Sequence, residues 1–175
     1  MPLYSLEGAS PDIHPTAFIA PTATLVGQVI VEAGASIWYN AVIRADYAPI
    51  VIRAGANVQD GSVMHGPPDL PTEVGPGATV GHLCVVHGAV IGARALVGNG
   101  STVLDGARIG SRCLVAAHSM VAAGAEFAAN TLIAGAPAVA KRDITGSVAE
   151  QWVDGNPDAY AALAARHRDG ILPVT

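Results

Sequence analysis

Six histidines are present, and three stand apart by the company they keep. His65 closes the segment Asn57-Val58-Gln59-Asp60-Gly61-Ser62-Val63-Met64-His65. His82 and His87 lie in Thr79-Val80-Gly81-His82-Leu83-Cys84-Val85-Val86-His87-Gly88. Imidazole accepts protons near neutral pH and ligates divalent metals. Three neutral imidazoles leave a dication its full charge and a fourth position open for water, which is the donor set of a hydrolytic or hydrating metal centre. Whether these three rings can gather depends on the elements that carry them.

Those elements follow from a repeat. An aliphatic residue opens every sixth position at Ile13, Ile19, Leu25, Val31, Ile37 and Ile43. After a three-residue insertion the series resumes at Ile52, Val58 and Met64, and after the stretch Gly66 to Glu73 at Val74, Val80 and Val86. One residue is then dropped, and Ile91, Val97, Val103, Ile109, Val115, Val121, Phe127, Ile133 and Val139 complete it. A small residue follows four places after each opener, as at Ala23, Ala41, Ser62, Cys84, Ser101 and Cys113. Such a hexapeptide suits a triangular coil, with the aliphatic side chain filling the axis and the small one letting the backbone turn. Three hexapeptides close one turn, and turns stack at about 4.8 Å. A sandwich would alternate with period two, and the density of Gly and Pro excludes helices from this region.

The frame places side chains. His65 and His87 each follow an opener, one coil apart on the same edge, so their rings can reach one ion. His82 follows its opener by two and sits at another corner, pointing away from them within one chain. A threefold assembly would bring the His82 corner of one copy to the His65/His87 edge of the next, so a three-histidine site requires trimerisation. Arg44 falls one coil below His65 when the insertion is discounted, and Gln59 and Asp60 fall one coil below Gly81 and His82.

The string Val42-Ile43-Arg44-Ala45-Asp46, with Asn57-Val58-Gln59-Asp60-Gly61, His65, Val80-Gly81-His82 and His87-Gly88, resembles the γ-class carbonic anhydrases of the hexapeptide-repeat superfamily. The resemblance spans roughly Ile13 to Val139. It implies an all-β repeat fold, a left-handed parallel β-helix with a C-terminal α-helix, assembled as a trimer. It also implies zinc, with iron or cobalt as alternatives, held by His65 and His87 of one chain and His82 of a neighbour. Carbon dioxide and bicarbonate would be the substrate pair, Gln59 would bond the metal-bound water, and Asn57 would be a further polar group of the site. Arg44 and Asp46 would form an ion pair between subunits, and Asp60 would be a further structural residue of the intersubunit site. Tyr47 stands where active members carry glutamate, and the loop after His65 is short. Asp69 or Glu73 is left as proton shuttle, so a low turnover is expected. Two alternatives remain: an acyl-CoA thioesterase or acyltransferase that binds a pantetheine arm along the coil edge, or a metal-bearing scaffold without catalysis.

Composition bounds the rest. The chain is 51% hydrophobic and 13% charged with a net charge of −5, and its nine Lys and Arg do not cluster, which argues against disorder and against a nucleic-acid surface. No apolar run approaches a membrane span, so a cytoplasmic protein without a membrane partner is expected. Residues 1–146 read as the β-helix domain. Residues 147–175 read as a helical tail packed on it, opened by a capping box at Ser147 and Glu150 and interrupted near Gly155-Asn156-Pro157. Cys84 and Cys113 share the small inward column five steps apart and are expected to stay unpaired. His14, His118 and His167 are expected to be structural or superficial, and Gly98-Asn99-Gly100 to be a corner rather than a phosphate loop.

Overall fold

The computed structural model describes residues 1–174 as a β-solenoid of stacked coils with a helix along one side. Each opener pairs in parallel with the opener one coil away, in three ladders. The first runs Leu25, Ile43, Met64, Val86, Val103, Val121. The second runs Ile13, Val31, Ile52, Val74, Ile91, Ile109, Phe127. The third runs Ile19, Ile37, Val58, Val80, Val97, Val115, Ile133. Two long strands, Thr24–Val31 and Val42–Ile52, continue round the corner between the first two faces and join them into one sheet. The openers are almost wholly buried and form one continuous core. Each such side chain contributes about 1.5–3 kcal/mol by leaving water.

The small column has the expected role. Ala23, Ala41, Ala56, Ala78, Cys84, Ala95, Ala107 and Cys113 are all buried at corners where nothing larger fits. Ser62 turns its hydroxyl to good use there: it donates to the Gly81 carbonyl at 2.6 Å and accepts from the Cys84 amide at 3.0 Å, tying one coil to the next. Both cysteines are free and buried, as expected.

The repeat ends one step earlier than its period suggests. Val139 lies in strand Ala138–Asp143, which turns back antiparallel on Thr131–Gly135, and it is exposed rather than axial. The sequence continues the six-residue period there, but the chain leaves the coil path after Ile133, and the antiparallel hairpin sets Ala138 instead of Val139 against the core. The helix, Val148–Gly170, also departs from expectation, because it runs unbroken through Pro157. Pro157 lacks an amide hydrogen and would weaken an isolated helix. Here it is buried beside Gly77, and the adjoining Asp154 is fastened by Arg112 at 2.5 Å and through its carbonyl by Arg94 at 2.8 Å. The capping box is reassigned: the Ser147 hydroxyl donates to the Ile144 carbonyl, while Glu150 accepts from the Gly146 amide at 2.7 Å and from Arg112 at 2.8 Å.

The helix covers the third face from Leu114 back to Phe18. Its far end closes a second apolar cluster of Phe18, Ala20, Trp38 and Ala164, with Tyr160 and Leu163 packed against it. His167 belongs to this cluster; its Nδ1 lies 2.8 Å from the Tyr39 hydroxyl and its ring meets Trp38 edge-on. No helix among the described residues is long and apolar enough to cross a membrane.

Candidate functional site

The polar residues collect on two corners that border the first face. The corner between the second and first faces carries the histidine pair. Strands Val63–His65 and Val85–His87 are in register, and His65 faces His87. Nδ1 of His65 stands 3.0 Å from Nε2 of His87. The outer nitrogens are each held by a carboxylate: Nε2 of His65 lies 2.9 Å from Asp46 Oδ2, and Nδ1 of His87 bonds Asp105. Arg44 pairs with Asp46 in the same chain, and through Asp46 it stands behind His65. Tyr47 stands exposed with its ring edge-on to His65 at 6.3 Å.

Local structure explains this placement. Gly27, with φ 75°, lies opposite Ala45, and a Cβ there would enter the Ala45 carbonyl one residue before Asp46. Gly88, with φ 54°, makes the shortened turn after His87, and a Cβ there would press on Asp105 Oδ1 at 2.7 Å and on Pro67 at 2.9 Å. Thr72 braces the two histidine strands from behind, donating to the His65 carbonyl at 2.9 Å and accepting from the Gly88 amide at 3.1 Å. Burial, with Arg44 and the His87 ring nearby, holds the His65 imidazole below its ordinary value.

Counting hydrogens defines what this row can do. Three contacts join Asp46, His65, His87 and Asp105, and each needs one hydrogen between its atoms. Two neutral imidazoles supply two. With both carboxylates served, two lone pairs face each other across the 3.0 Å gap, so the pair is built to take up one more proton or a cation there.

The second corner, between the third and first faces, stacks Tyr39, Asp60, His82 and Asn99, one per coil, each joined to the coil above through the following residue. His82 Nδ1 lies 2.8 Å from Asp60 Oδ2, its Nε2 lies 3.2 Å from the Tyr160 hydroxyl, and its amide donates to Asn99 Oδ1 at 3.0 Å. His82 therefore does not meet His65 and His87 within one chain, and no group of three His, Cys, Asp or Glu suited to a metal forms among the described residues. Asn57 and Gln59 lie on the same side as His82, buried beneath the helix. Gln59 Nε2 donates to Asn57 Oδ1 at 3.1 Å, and Asn57 Nδ2 to Thr79 Oγ1 at 2.8 Å.

The two shuttle candidates stand elsewhere. Asp69 is exposed at the tip of its loop with φ 67°. Glu73 is engaged by Arg53 at 2.9 and 3.0 Å, in a pair that Glu32 also joins, and an anchored carboxylate is a poor carrier of protons. Sequence reasoning missed Asp105 and Tyr160. Asp105 follows its opener by two, in the frame directly above the shortened Gly88 turn, and that dropped residue was the available signal. Nothing in the period points to Tyr160, which the helix delivers. His118 occupies the left-handed corner position, φ 58°, with its ring over Gly100. The His14 ring bonds Thr16, its own neighbour in the chain, at 2.9 Å.

The parallel ladders and the small-residue corners define a hexapeptide-repeat solenoid, and residues 88–123 match the family model of the bacterial transferase hexapeptide (six repeats). The chain is 42% identical over 175 residues to the carnitine operon protein CaiE of Proteus sp. (strain LE138), covering 100% of this chain and 88% of that one. It is 45% identical over 171 residues to CaiE of Citrobacter koseri, covering 98% and 86%. It belongs to this CaiE family of hexapeptide-repeat proteins. Among solved structures it is similar to a hexapeptide transferase family protein from Anaplasma phagocytophilum, with a TM-score of 0.90 and 34% identity over 97% of this chain and 98% of that one. A putative acetyltransferase from Bacillus cereus gives a TM-score of 0.93 and 35% identity over 95% and 96%.

These likenesses correct the expected activity. Relatives across nearly the whole chain carry carnitine-operon and transferase names, so carbon dioxide hydration, the lyase class and zinc as the metal of that reaction are set aside. The physical reason lies in the repeat. In a solenoid any two residues one coil apart become neighbours, so histidine spacing reports stacking geometry and leaves the reaction open.

Proposed function

We propose that the protein is an acyl-transfer enzyme that takes its acyl group from a coenzyme A thioester. The observation that carries this reading is the His65–His87 pair on an open corner, each ring turned by a carboxylate, in a chain whose structural relatives are described as transferases. An acceptor hydroxyl or amine at the corner gives its proton to the pair, and that proton completes the third hydrogen bond of the row. The freed lone pair attacks the thioester carbonyl. A new carbon–oxygen or carbon–nitrogen bond forms, the carbon–sulfur bond breaks, and the proton returns to the departing thiolate. With water as acceptor the same steps give thioester hydrolysis.

Self-association fits this reading and is proposed with it. The outward column of the first face holds Val42, Val63, Val85, Thr102 and Met120, without a charge, and it is bounded by the His82 corner on one side and the histidine pair on the other. A homotrimer burying these faces would bring His82 of one copy toward His65 and His87 of the next. A second reading rests on the facing lone pairs. A divalent transition-metal ion could be held by His65 and His87 with His82 of a neighbour, with Asp46 and Asp105 orienting the rings; when bound it would tie copies together and polarise a carbonyl. A cytoplasmic setting, where acyl donors and reduced thiols coexist, fits the free cysteines.

The test is release of coenzyme A thiol from short, medium and long acyl thioesters, with water, amines and carnitine as acceptors. Carnitine is included because the relatives are carnitine operon proteins and because it carries a hydroxyl. Turnover that falls about 100-fold or more in His87→Ala is expected. Rates equal to that variant's with every donor and acceptor would refute acyl transfer. Metal analysis coupled to oligomer mass, on native protein and on His65→Ala, decides the second reading.

A further inference from the structure

The helix and the third face do not close fully on one another. Between them lies a cleft of about 340 Å³, with Leu96 and Leu114 along its floor and Trp152 as an exposed aromatic wall. Three side-chain amides line it, and each spends one end on the protein. Gln59, buried, donates to Asn57; Asn156 donates to Thr79 Oγ1 at 2.9 Å; Asn99 accepts from the His82 amide. The opposite ends, two carbonyl oxygens and one NH₂, take no protein partner among the described residues. His82 and Tyr160 stand at the corner side, and no Asp, Glu, Lys or Arg lines the space.

We propose that this cleft binds a slender, uncharged chain bearing secondary amides, which for an acyl-transfer enzyme is the pantetheine arm of the donor. The inference rests on acyl transfer as the function. A secondary amide presents one N–H and one C=O, the complement of a lining that keeps both acceptors and a donor free. The leucine floor suits the arm's methyl groups. The absence of charged side chains leaves nothing to hold phosphate, so the nucleotide end stays outside. The volume sits at the lower end for small-molecule sites, enough for a thin chain and too little for a nucleotide as well. From the His82 corner the thiol end would face the first face, where the proposed assembly sets the histidine pair of a second copy.

The experiment titrates the intact protein with pantetheine and follows the side-chain amide signals of Gln59, Asn99 and Asn156 and the indole signal of Trp152 by NMR. Saturable shifts at these groups are expected, with at least tenfold weaker binding in Leu114→Trp, which fills the floor. Leu96→Trp replaces it if that variant does not fold. No saturable shift up to the solubility limit, shifts confined to other regions, or undiminished binding in a folded filled variant would overturn the site. Acyl transfer is measured separately. Pantetheine bound in the cleft without turnover on any donor refutes the function and leaves the site standing. Turnover without cleft shifts refutes the site alone.

Discussion

His65 and His87 are register partners on successive coils, and the ring nitrogens that face each other, 3.0 Å apart, are the two that their carboxylate partners leave free. Asp105 acts on chemistry only through His87, so it is a positioning residue. Asp105→Asn keeps the shape but accepts no fixed ring hydrogen on one of its two polar atoms. A fall of about 10-fold to 100-fold in kcat with little change in KM is expected, together with a displaced pH profile, while His87→Ala loses about 100-fold or more. Steady-state kinetics across pH check both. An unchanged profile in Asp105→Asn would mean that Asp105 only packs.

Acidification should weaken the fold through His65. Its folded value lies below the ordinary imidazole 6.5, so between those two values the unfolded chain binds a proton that the folded chain refuses. Stability from this residue is present above pH 6.5 and lost as pH falls through that window. Denaturant unfolding at stepped pH should show the decline, and His65→Gln should flatten it. An NMR titration placing the folded His65 above 6.5 would reverse the sign.

Assembly should depend on the first face. Val63 and Val85 are 40% and 38% exposed in one chain, side by side on successive strands. The pair Val63→Glu and Val85→Glu puts two like charges into the proposed interface, and sedimentation should show dissociated copies that keep the far-ultraviolet signature of the solenoid. Undisturbed oligomers would move the interface elsewhere.

The cysteines should be silent in the native state. Burial pushes the Cys84 thiol up to about 11 and raises Cys113 as well, so the thiolate is scarce and out of reach. Alkylation at pH 8 should proceed at the rate of unfolding, and a fast-reacting thiol would show that a corner opens.

Gly27→Ala should cost about 3 kcal/mol or more, since it combines a left-handed backbone with a Cβ pressed into the Ala45 carbonyl. Because Asp46 follows Ala45, the His65–Asp46 contact should loosen at the same time, read as a changed His65 titration alongside a lowered Tm. A stable variant with the native titration would show that the strand shifts freely there.

The sequence by itself determined the ladders. Every opener from Ile13 to Ile133 pairs as the six-residue period requires, because a hexapeptide coil leaves only one way to bury its aliphatic residues, and stacking then forces His65 beside His87 and Asp60 beneath His82. Tertiary structure decided what lies outside that local rule. Val139 turns outward because the chain doubles back as a hairpin that sets Ala138 against the core in its place, and the helix survives Pro157 because Arg94, Arg112 and the third face hold its neighbours. Tyr160 reaches His82 across 78 positions of sequence through docking of that helix, which no period encodes. Asp105 reaches His87 because one residue is missing from a turn. The reaction itself was the least legible, since a solenoid makes neighbours of any residues one coil apart, and chemistry depends on which groups then face the open space between them.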